Sequence, residues 1–453
     1  MAVRFDDPNL VSCAGLAAVL ALGARCGLAA LVADRVRIAA TGGANAAAKV
    51  VALVAGMVAG ADSIQDMDLL RHGGMGRLVT DVRAPSTWGT FLRLFTFGHV
   101  RQLDAVAAGF LARLAAATPI LAGVDQVAFI DVDDTVRGTY GYAKQGAGRG
   151  YSGVKGLNAL LATISTPLSA PVIAVTRLRQ GTTNSVRGAA KLLADALASA
   201  RRAGATGLVI VRADSAYYCH DIIAAARRAG AHFSITARHT PAVIRAITTI
   251  PEHAWAAIRY PNAIWDEDEQ RWMSDAQVAE IPFTAFTGRR ASEHITARLI
   301  VRRVRRLNPA TAPTGQDELF AAYRYHAVFT DSPEPMLDAE ATHRDHAIIE
   351  QVIADLKDSA LAHLPSGRFT ANAAWLVSAA IAHNLTRAAG ALASAFHARA
   401  RTGTIRAQLI NIPGRIARSA HRLLLHLPRH WPWEPSLDEL FRQTLHDPLP
   451  TTT

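Results

Sequence analysis

Three carboxylates stand out because each lies in a local setting that suits chemistry. Asp133 and Asp214 each end a short run rich in β-branched residues, which predicts that each lies at the exit of a buried strand. Glu350 lies in a stretch whose apolar residues recur at helical spacing. Brought together, these three side chains would form a cage of oxygen atoms that suits a hard divalent cation such as Mg²⁺. Two such ions, about 4 Å apart, can activate the attacking and leaving oxygens in phosphoryl transfer.

The first of these positions has two neighbours of the same type. Alternation along the strand places Asp131 and Asp133 on one face and Asp134 on the other. Asp131 and Asp133 are therefore both candidates for the first metal ligand. If Asp133 is the ligand, Asp131 would support it through a hydrogen bond or through its charge.

The elements that must position these carboxylates can be predicted from the pattern of apolar residues. Residues 1 to about 120 are predicted to be helical. Three strands are then predicted in succession, at Val127–Asp133, Asn158–Ser165 and Pro171–Leu178. A helix (Ala189–Gly204), a strand (Leu208–Asp214), a helix (Tyr218–Gly230) and a strand (His232–Ala237) follow. Further strand-like runs occupy about 242–331, and the chain after Glu350 is predicted to be helical, so the fold class is α/β.

Composition favours a polyanionic partner. The net charge of the 453 residues is +11 at neutral pH, and arginine carries most of the positive charge. Arginine binds phosphate oxygens bidentately, which favours a nucleic acid. The three cysteines are odd in number and lack metal-ligand spacing, which predicts reduced thiols in a cytoplasmic protein. The apolar segment Val11–Val32 contains Arg25, so we predict a buried helix pair around Gly23–Gly27 and no membrane span.

The sequence resembles the DDE transposases of bacterial insertion sequences over nearly its whole length. Two stretches carry the resemblance, DVDDTVRGTYGYAKQGAGRGYSGVKGLNAL and RADSAYY, which look like the first and second Asp blocks of one such family. A third motif in that branch reads Tyr-(2)-Arg-(3)-Glu-(6)-Lys. Glu350 and Lys357 match its spacing, whereas His343 and His346 stand at the Tyr and Arg positions and Arg344 is the nearest arginine.

The resemblance implies a ribonuclease H-like core and Mg²⁺-dependent cutting and joining of DNA, with Mn²⁺ able to substitute. The predicted order of three strands followed by α-β-α-β agrees with that core. Asp133, Asp214 and Glu350 would be both the catalytic residues and the metal ligands, with Asp131 as a further candidate ligand. An Asp-x-Thr step in family members matches Asp133-Asp134-Thr135 and favours Asp133. Similar transposases carry a β-rich insertion, which predicts one at about 242–331.

Three regions are therefore expected. Residues 1–120 would form a helical DNA-binding region, 121–397 the ribonuclease H-like catalytic domain, and 398–453 a basic helical tail. A capped helix beginning near Ser86, with Arg93 and Arg101, is the preferred candidate for reading element ends, because base readout needs a helix fitted to a groove. The tail, which has several arginines and no carboxylate between 399 and 430, would add nonspecific affinity or a subunit contact.

Basic residues near the predicted site are candidates for DNA contact. They are Lys357 and Arg344 near Glu350, Arg298, Arg302 and Arg303 in a strand-like run that no nearby carboxylate balances, and Lys144 and Arg149 in a glycine-rich loop. That loop lacks the Gly-Lys-Ser/Thr ending of an ATP site. The expected partners are double-stranded DNA, as element ends and target, and a second subunit in a homodimeric synaptic complex at the nucleoid. Two alternatives remain open: a metal-dependent nuclease of this fold that does not join strands, and a decayed, non-catalytic DNA-binding protein.

Overall fold

The structure is a computed structural model that describes residues 1–140, 144–258, 264–266, 271–273, 276–305, 323–419 and 422–445. Its N-terminal part is helical, as predicted. After a short strand β1 (Leu10–Val11) come α1 (Leu16–Arg25), α2 (Leu28–Arg35), α3 (Ala46–Ala59), α4 (Pro85–Arg93) and α5 (Phe97–Ala117). Helix α5 begins with a capping box in which the Thr96 side chain and the His99 backbone N–H are paired.

The middle of the chain alternates strands and helices close to the predicted positions. The elements are β2 (Val127–Gly138), β3 (Gly148–Arg149), β4 (Lys155–Thr166), β5 (Ser169–Gln180), α6 (Ala189–Arg202), β6 (Leu208–Ala213), α7 (His220–Arg228) and β7 (His232–Thr236). Strand β2 pairs antiparallel with β4 and parallel with β6, β4 pairs antiparallel with β5, and β6 pairs parallel with β7. The resulting order β5-β4-β2-β6-β7 is compatible with the expected ribonuclease H-like core.

The segment between the second and third acidic residues extends this same sheet. It contains α8 (Pro241–Thr248), β8 (Ala256–Ile258), β9 (Ile264–Asp266), β10 (Arg271–Met273), β11 (Ala276–Ala285), β12 (Ile295–Arg305) and β13 (Tyr323–Thr330). Strand β13 pairs antiparallel with β7, and β12, β11 and β8 follow in turn. Together they make a ten-stranded mixed sheet, while β9 and β10 form a separate two-stranded ribbon. The strands predicted for this part of the chain are therefore present.

The C-terminal part returns to helices and then to a hairpin. The elements are α9 (Met336–Arg344), α10 (Ile348–Lys357), α11 (Phe369–Ala393), α12 (Ala395–Arg399), α13 (Thr402–Ile405), a π-helical turn (Arg406–Ile410), β14 (Gly414–Ser419), β15 (Arg422–His426) and α14 (Glu434–Leu445). The prediction of a helical tail is therefore wrong for the hairpin of β14 and β15. Because β14 also pairs with β1 at the other end of the chain, the tail is part of the folded body.

Helix α11 is the centre of the hydrophobic core. Nearly all of its residues are buried, and it contacts α1, α3, α4 and α5 on one side and β5 and α14 on others. Alanine and glycine fill much of its surface, which lets neighbouring helices approach closely. Asn384 also joins it to the sheet, because its side chain accepts a hydrogen bond from the Ile173 N–H at 2.8 Å and donates one to the Ile173 carbonyl. The N-terminal helices, the sheet and the tail thus share one core.

The apolar N-terminal segment forms the predicted pair of core helices. Helices α1 and α2 meet at Gly27, whose φ of 70° lies in the left-handed region that glycine enters without a steric cost. Among the described residues, no single helix is long and apolar enough to cross a membrane, and α1 and α2 meet such a criterion only as a pair bent by 52°.

The shared core leads to a prediction about the N-terminal region. We expect residues 1–120 expressed alone not to form a stable fold, because α1, α3, α4 and α5 would expose the faces that cover α11. Circular dichroism and amide-proton NMR dispersion of the fragment, compared with the full chain, would measure this. A fragment that unfolds cooperatively with dispersed amide signals would contradict the expectation and restore an independent N-terminal domain.

Candidate active site

Asp133 and Asp214 are neighbours at the edge of the parallel ladder between β2 and β6. Val132 is paired with Ala213 as the last step of that ladder, so the next residue on each strand is one of the two aspartates. Neighbouring strands lie about 4.8 Å apart, so two carboxylates at this spacing can bind the same ion. The structure therefore brings these two predicted residues together.

Asp131 forms an ion pair with a buried arginine. Its two carboxylate oxygens accept hydrogen bonds from Nε and Nη2 of Arg212 at 2.7 and 2.8 Å, and both side chains are at most 2% exposed. Arg212 also stacks on the Phe129 ring at 4.2 Å from its centroid. Because each Asp131 oxygen already binds Arg212, Asp131 is less available to a metal ion than Asp133.

Asp134 is likewise paired with an arginine, on the opposite face of β2. Its carboxylate forms a salt bridge with Arg179 of β5, whose guanidinium also donates to the side-chain oxygen of Asn158 at 2.7 and 2.9 Å. Three backbone carbonyls accept the remaining N–H groups, namely those of Asn184, Ser185 and Arg187. Of the three aspartates on this strand, Asp133 alone makes no ion pair with the described residues.

Asp214 is fixed by the short turn that follows β6. Its side chain accepts a hydrogen bond from the Ala216 N–H at 2.9 Å and caps the 3₁₀ turn Ser215–Tyr217. Arg238 holds the same turn from outside by donating to the carbonyls of Ser215 and Ala216 at 2.7 and 2.9 Å. Asp214 is therefore held in one place even though its side chain is exposed to solvent on one side.

Glu350 lies in the first turn of α10, as the periodicity predicts. The opposite face of this helix is buried through Ile349 and Leu356, which are 2% and 1% exposed. Near the end of the helix, Asp355 accepts a hydrogen bond from the Thr402 N–H at 3.1 Å and pairs with Arg401. This anchoring fixes the helix and leaves the Glu350 side chain exposed.

The three carboxylates influence one another electrostatically. The pKa of Asp133 is raised to about 7, first by burial and then by the negative charges of Asp214, Asp134 and Glu350, although the Asp134 N–H bonded to its Oδ1 at 2.7 Å opposes the shift. The pKa of Asp214 is also raised, chiefly by partial burial, while His346 lowers it. A site that resists full ionisation in this way favours a bound cation.

The donor set fits a hard divalent ion in its chemistry. Among the described residues, no three His, Cys, Asp or Glu side chains are grouped closely enough to hold a metal ion as they stand. However, Asp133 and Asp214 are adjacent. Glu350 is exposed, makes no ion pair with the described residues, and is near enough to raise the pKa of Asp133 through its charge. Carboxylate oxygens of this kind are the ligands that Mg²⁺ prefers.

Two histidines precede Glu350 and have different environments. His343 is buried, its ring nitrogens contact the hydroxyls of Ser234 and Thr236 at 3.0 and 2.9 Å, and its pKa is lowered to about 3, chiefly by burial. It is therefore a neutral structural residue. His346 stacks on it at 4.8 Å between ring centroids and donates from Nδ1 to the His343 carbonyl at 2.6 Å. His346 is also close enough to Asp214 to lower the pKa of that carboxyl through its charge.

Comparison with known proteins identifies the family of the chain. A profile of the family described as "Transposase DDE domain group 1" matches residues 1–447. The chain belongs to this family. No curated protein matched the sequence. The protein is thus a member of the DDE transposases, enzymes of the polynucleotidyl transferase type, and the family implies DNA binding and generally a divalent metal.

The arginines on β12 of the transposase are paired with carboxylates. Arg298 binds Glu280 on the neighbouring strand, and Arg302 lies 3.0 Å from Glu340 of α9. Arg303 is 3% exposed, pairs with Glu252 and Gln277, and stacks on Trp255 and Tyr323. The expectation that this run is unbalanced is therefore wrong, because its partners are distant in sequence. Burial places Arg303 in a structural position and out of reach of DNA.

The other predicted DNA contacts have varied surroundings. Arg344 is 37% exposed and binds Glu340 at 2.9 Å. Arg149 is exposed and donates to the Gly153 carbonyl at 2.7 Å. Lys144 donates to the Leu364 carbonyl, and partial burial lowers its pKa. Lys357 is half-buried and makes no ion pair with the described residues.

The candidate recognition helix begins at Pro85, close to the expected position, but no side chain caps its first turn, and the helix is short and packed. Helix α4 buries Trp88, Phe91 and Leu92 and contacts α11, while Arg93 remains exposed. Arg101 lies on the next helix and pairs with Asp104. Only part of this helix is therefore available to a DNA groove.

Sequence reasoning missed Arg212, Arg179 and Tyr217. Arg212 precedes Asp214 by two residues in a strand that is otherwise apolar, and a charge in such a run is itself a signal of a buried partner. Arg179 ends a strand and gave no comparable signal.

The raised pKa of Asp133 predicts how metal affinity depends on pH. Because its folded pKa exceeds the unfolded value, the protonated carboxyl stabilises the metal-free fold at low pH, and this contribution is lost as pH rises through about 7. A divalent ion must displace that proton. We therefore expect apparent Mn²⁺ affinity to rise by up to about tenfold per pH unit below neutrality and to level off above it.

Calorimetric titration of the full chain between pH 5.5 and 8.5 in two buffers would measure both the affinity and the protons released. Asp133→Asn removes the titrating group and should abolish the slope together with most of the affinity. An affinity that is independent of pH in the unaltered protein would contradict the assignment.

Proposed function

We propose that this transposase binds the ends of an insertion sequence and catalyses metal-dependent DNA strand cleavage followed by strand transfer. The observation that carries the proposal is the adjacency of Asp133 and Asp214 across the β2–β6 ladder. The two other aspartates of β2 are paired with arginines, so one carboxylate from each strand remains available to bind a metal ion. Glu350 supplies the third from α10. Their assignment as catalytic residues and metal ligands is part of this proposal.

The three carboxylates would hold the metal ions, and the elements that carry them would fix their positions. When bound, divalent ions of the Mg²⁺ type would activate the attacking oxygen and stabilise the leaving oxygen of a phosphodiester. Asp133 and Asp214 present their oxygens from strand ends that are fixed by the sheet and by the Ser215–Tyr217 turn. Glu350 approaches from a helix that Asp355 and Arg401 anchor. A rigid site of this kind orders the reacting groups before the reaction begins.

Basic groups near the carboxylates would hold the DNA backbone. Lys357 follows Glu350 by seven residues, nearly two helical turns, so the two side chains share a face of α10. His346 acts on Asp214 through its charge and stands at the position where related signatures have an arginine. Arg344 lies on α9, just before the helix that contains Glu350, and its side chain is 37% exposed. Arg149 lies on β3 and is exposed. Cationic groups bind phosphates irrespective of sequence.

Recognition of element ends would depend on the exposed part of the N-terminal helices, including Arg93. The tail contributes fewer free charges than its composition suggests. Arg401 pairs with Asp355, Arg406 donates to the Val58 carbonyl, and Arg415 pairs with Asp7. We therefore propose that the tail acts mainly as a structural element. Pairing of two element ends would involve two copies of the chain.

The first test is to neutralise each proposed ligand in turn. We expect Asp133→Asn, Asp214→Asn and Glu350→Gln each to lower cleavage by at least about 100-fold, because loss of a carboxylate removes a metal ligand. DNA affinity should stay largely unchanged, since these residues bind metal and not DNA. A plasmid that carries the gene with its flanking DNA, incubated with Mg²⁺ or Mn²⁺, would report cleavage, and gel shifts would report binding.

Asp358→Asn is the matched control, because Asp358 lies just beyond the end of the same helix as Glu350 and is 78% exposed. It should cleave normally. Joining is tested separately with pre-cut ends that bear a 3′-hydroxyl. Cleavage without joining would identify a nuclease, and a wild-type chain that binds DNA but cleaves nothing with either ion would identify a non-catalytic DNA-binding protein. Normal cleavage by Asp214→Asn would contradict the proposed site.

A further inference from the structure

A buried hydroxyl next to the carboxylates has no hydrogen-bond partner. Tyr217 is 1% exposed, and its hydroxyl oxygen is buried without a partner among the described residues. Buried polar groups are nearly always hydrogen-bonded, and each exception needs an explanation. Core packing alone does not provide one, because phenylalanine would fill the same space without the unpaired oxygen.

Hydrogen bonds fix the backbone of the turn that contains Tyr217. Tyr217 is the last residue of the turn that Asp214 caps, and its own N–H donates to the Asp214 carbonyl at 3.2 Å. The Cys219 N–H in turn donates to the Tyr217 carbonyl at 2.8 Å. Arg238 holds the two preceding carbonyls of the turn. The Tyr217 backbone is therefore held in a fixed relation to Asp214, the second proposed metal ligand, and burial confines the ring.

The surroundings of the hydroxyl are dominated by carboxylates. Burial raises the pKa of Tyr217, and the charges of Asp134, Asp133 and Asp214 raise it further, while Arg179 opposes them. The hydroxyl therefore keeps its proton and acts as a donor. Asp134 is already paired with Arg179. The Asp214 carboxylate is bonded by the Ala216 N–H and is also acted on by the Tyr217 N–H. Asp133 accepts only the Asp134 N–H and makes no ion pair with the described residues, so it has the most unused acceptor capacity of the three.

We propose that Tyr217 is a positioning residue whose hydroxyl donates to the Asp133 carboxylate when a divalent cation is bound. One oxygen of Asp133 would face the ion, and the other would accept a hydrogen bond from the tyrosine hydroxyl. This hydrogen bond would hold the carboxylate in its ligating orientation. The inference rests on the proposed function, because it concerns the same site. It adds a residue that touches neither the ion nor DNA.

The test is Tyr217→Phe, which removes only the oxygen atom. We expect Mn²⁺ affinity, measured from the EPR signal of free Mn²⁺ in titrations of the full chain, to fall by about 10- to 100-fold. The apparent KM for Mn²⁺ in cleavage should rise by a similar factor while kcat at saturating Mn²⁺ stays close to that of the unaltered chain. The thermal midpoint of the metal-free protein should stay the same or rise, because an unpaired buried oxygen is removed.

Tyr218→Phe is the matched control. Tyr218 is the adjacent residue, and its ring packs on Phe286 and Phe329, away from the carboxylates. It should leave Mn²⁺ affinity unchanged. If Asp133→Asn abolishes Mn²⁺ binding and Tyr217→Phe leaves it unchanged, the inference about Tyr217 is overturned and the metal site stands. If the unaltered chain binds no Mn²⁺ that depends on Asp133, the proposed site itself is overturned, and the inference with it.

Discussion

The buried pair between Asp131 and Arg212 is the interaction on which the arrangement of the site depends. Two charges in the interior are costly unless every donor and acceptor is satisfied. Here Arg212 donates to both oxygens of Asp131 on the neighbouring strand and to the Thr342 carbonyl of α9 at 2.7 Å, and it stacks on Phe129. One side chain thus joins β2, β6 and the end of the helix that precedes Glu350. Loss of either partner would leave an uncompensated buried charge, at a cost of about 3–5 kcal/mol.

The same pairing decides which carboxylates are available for chemistry. Asp131 is neutralised by Arg212 on one side of Asp133, and Asp134 by Arg179 on the other face of the strand. Asp133 is left without a cation, next to Asp214 and near Glu350, and its pKa rises to about 7. Because the two other aspartates are paired with arginines, Asp133 is the carboxylate of this strand that a divalent ion would stabilise. The hydroxyl of Tyr217, which has no partner among the described residues, is near enough for the charge of Asp133 to raise its pKa.

Local sequence patterns predicted the elements well, and distant partners explain the errors. Predicted strands at Val127–Asp133 and Leu208–Asp214 agree with β2 and β6, because β-branched runs bounded by turns are a local signal. The choice between Asp131 and Asp133 could not be made from alternation, since both lie on one face and only the register with Arg212 separates them. The β12 arginines were misjudged for the same reason, as Glu252, Glu280 and Glu340 lie far away in sequence. The β14–β15 hairpin depends on pairing with β1 across the whole chain.

Iron-directed cleavage of the chain would measure whether Asp133, Asp214 and Glu350 converge on one divalent-metal site. Fe²⁺ bound in place of Mg²⁺ generates hydroxyl radicals that cut the backbone close to the ion, and the fragment masses identify the segments around it. We expect cuts near residues 133, 214 and 350 that excess Mg²⁺ suppresses and that Asp133→Asn abolishes. Cuts confined to other segments, or cuts that Asp133→Asn leaves unchanged, would contradict it.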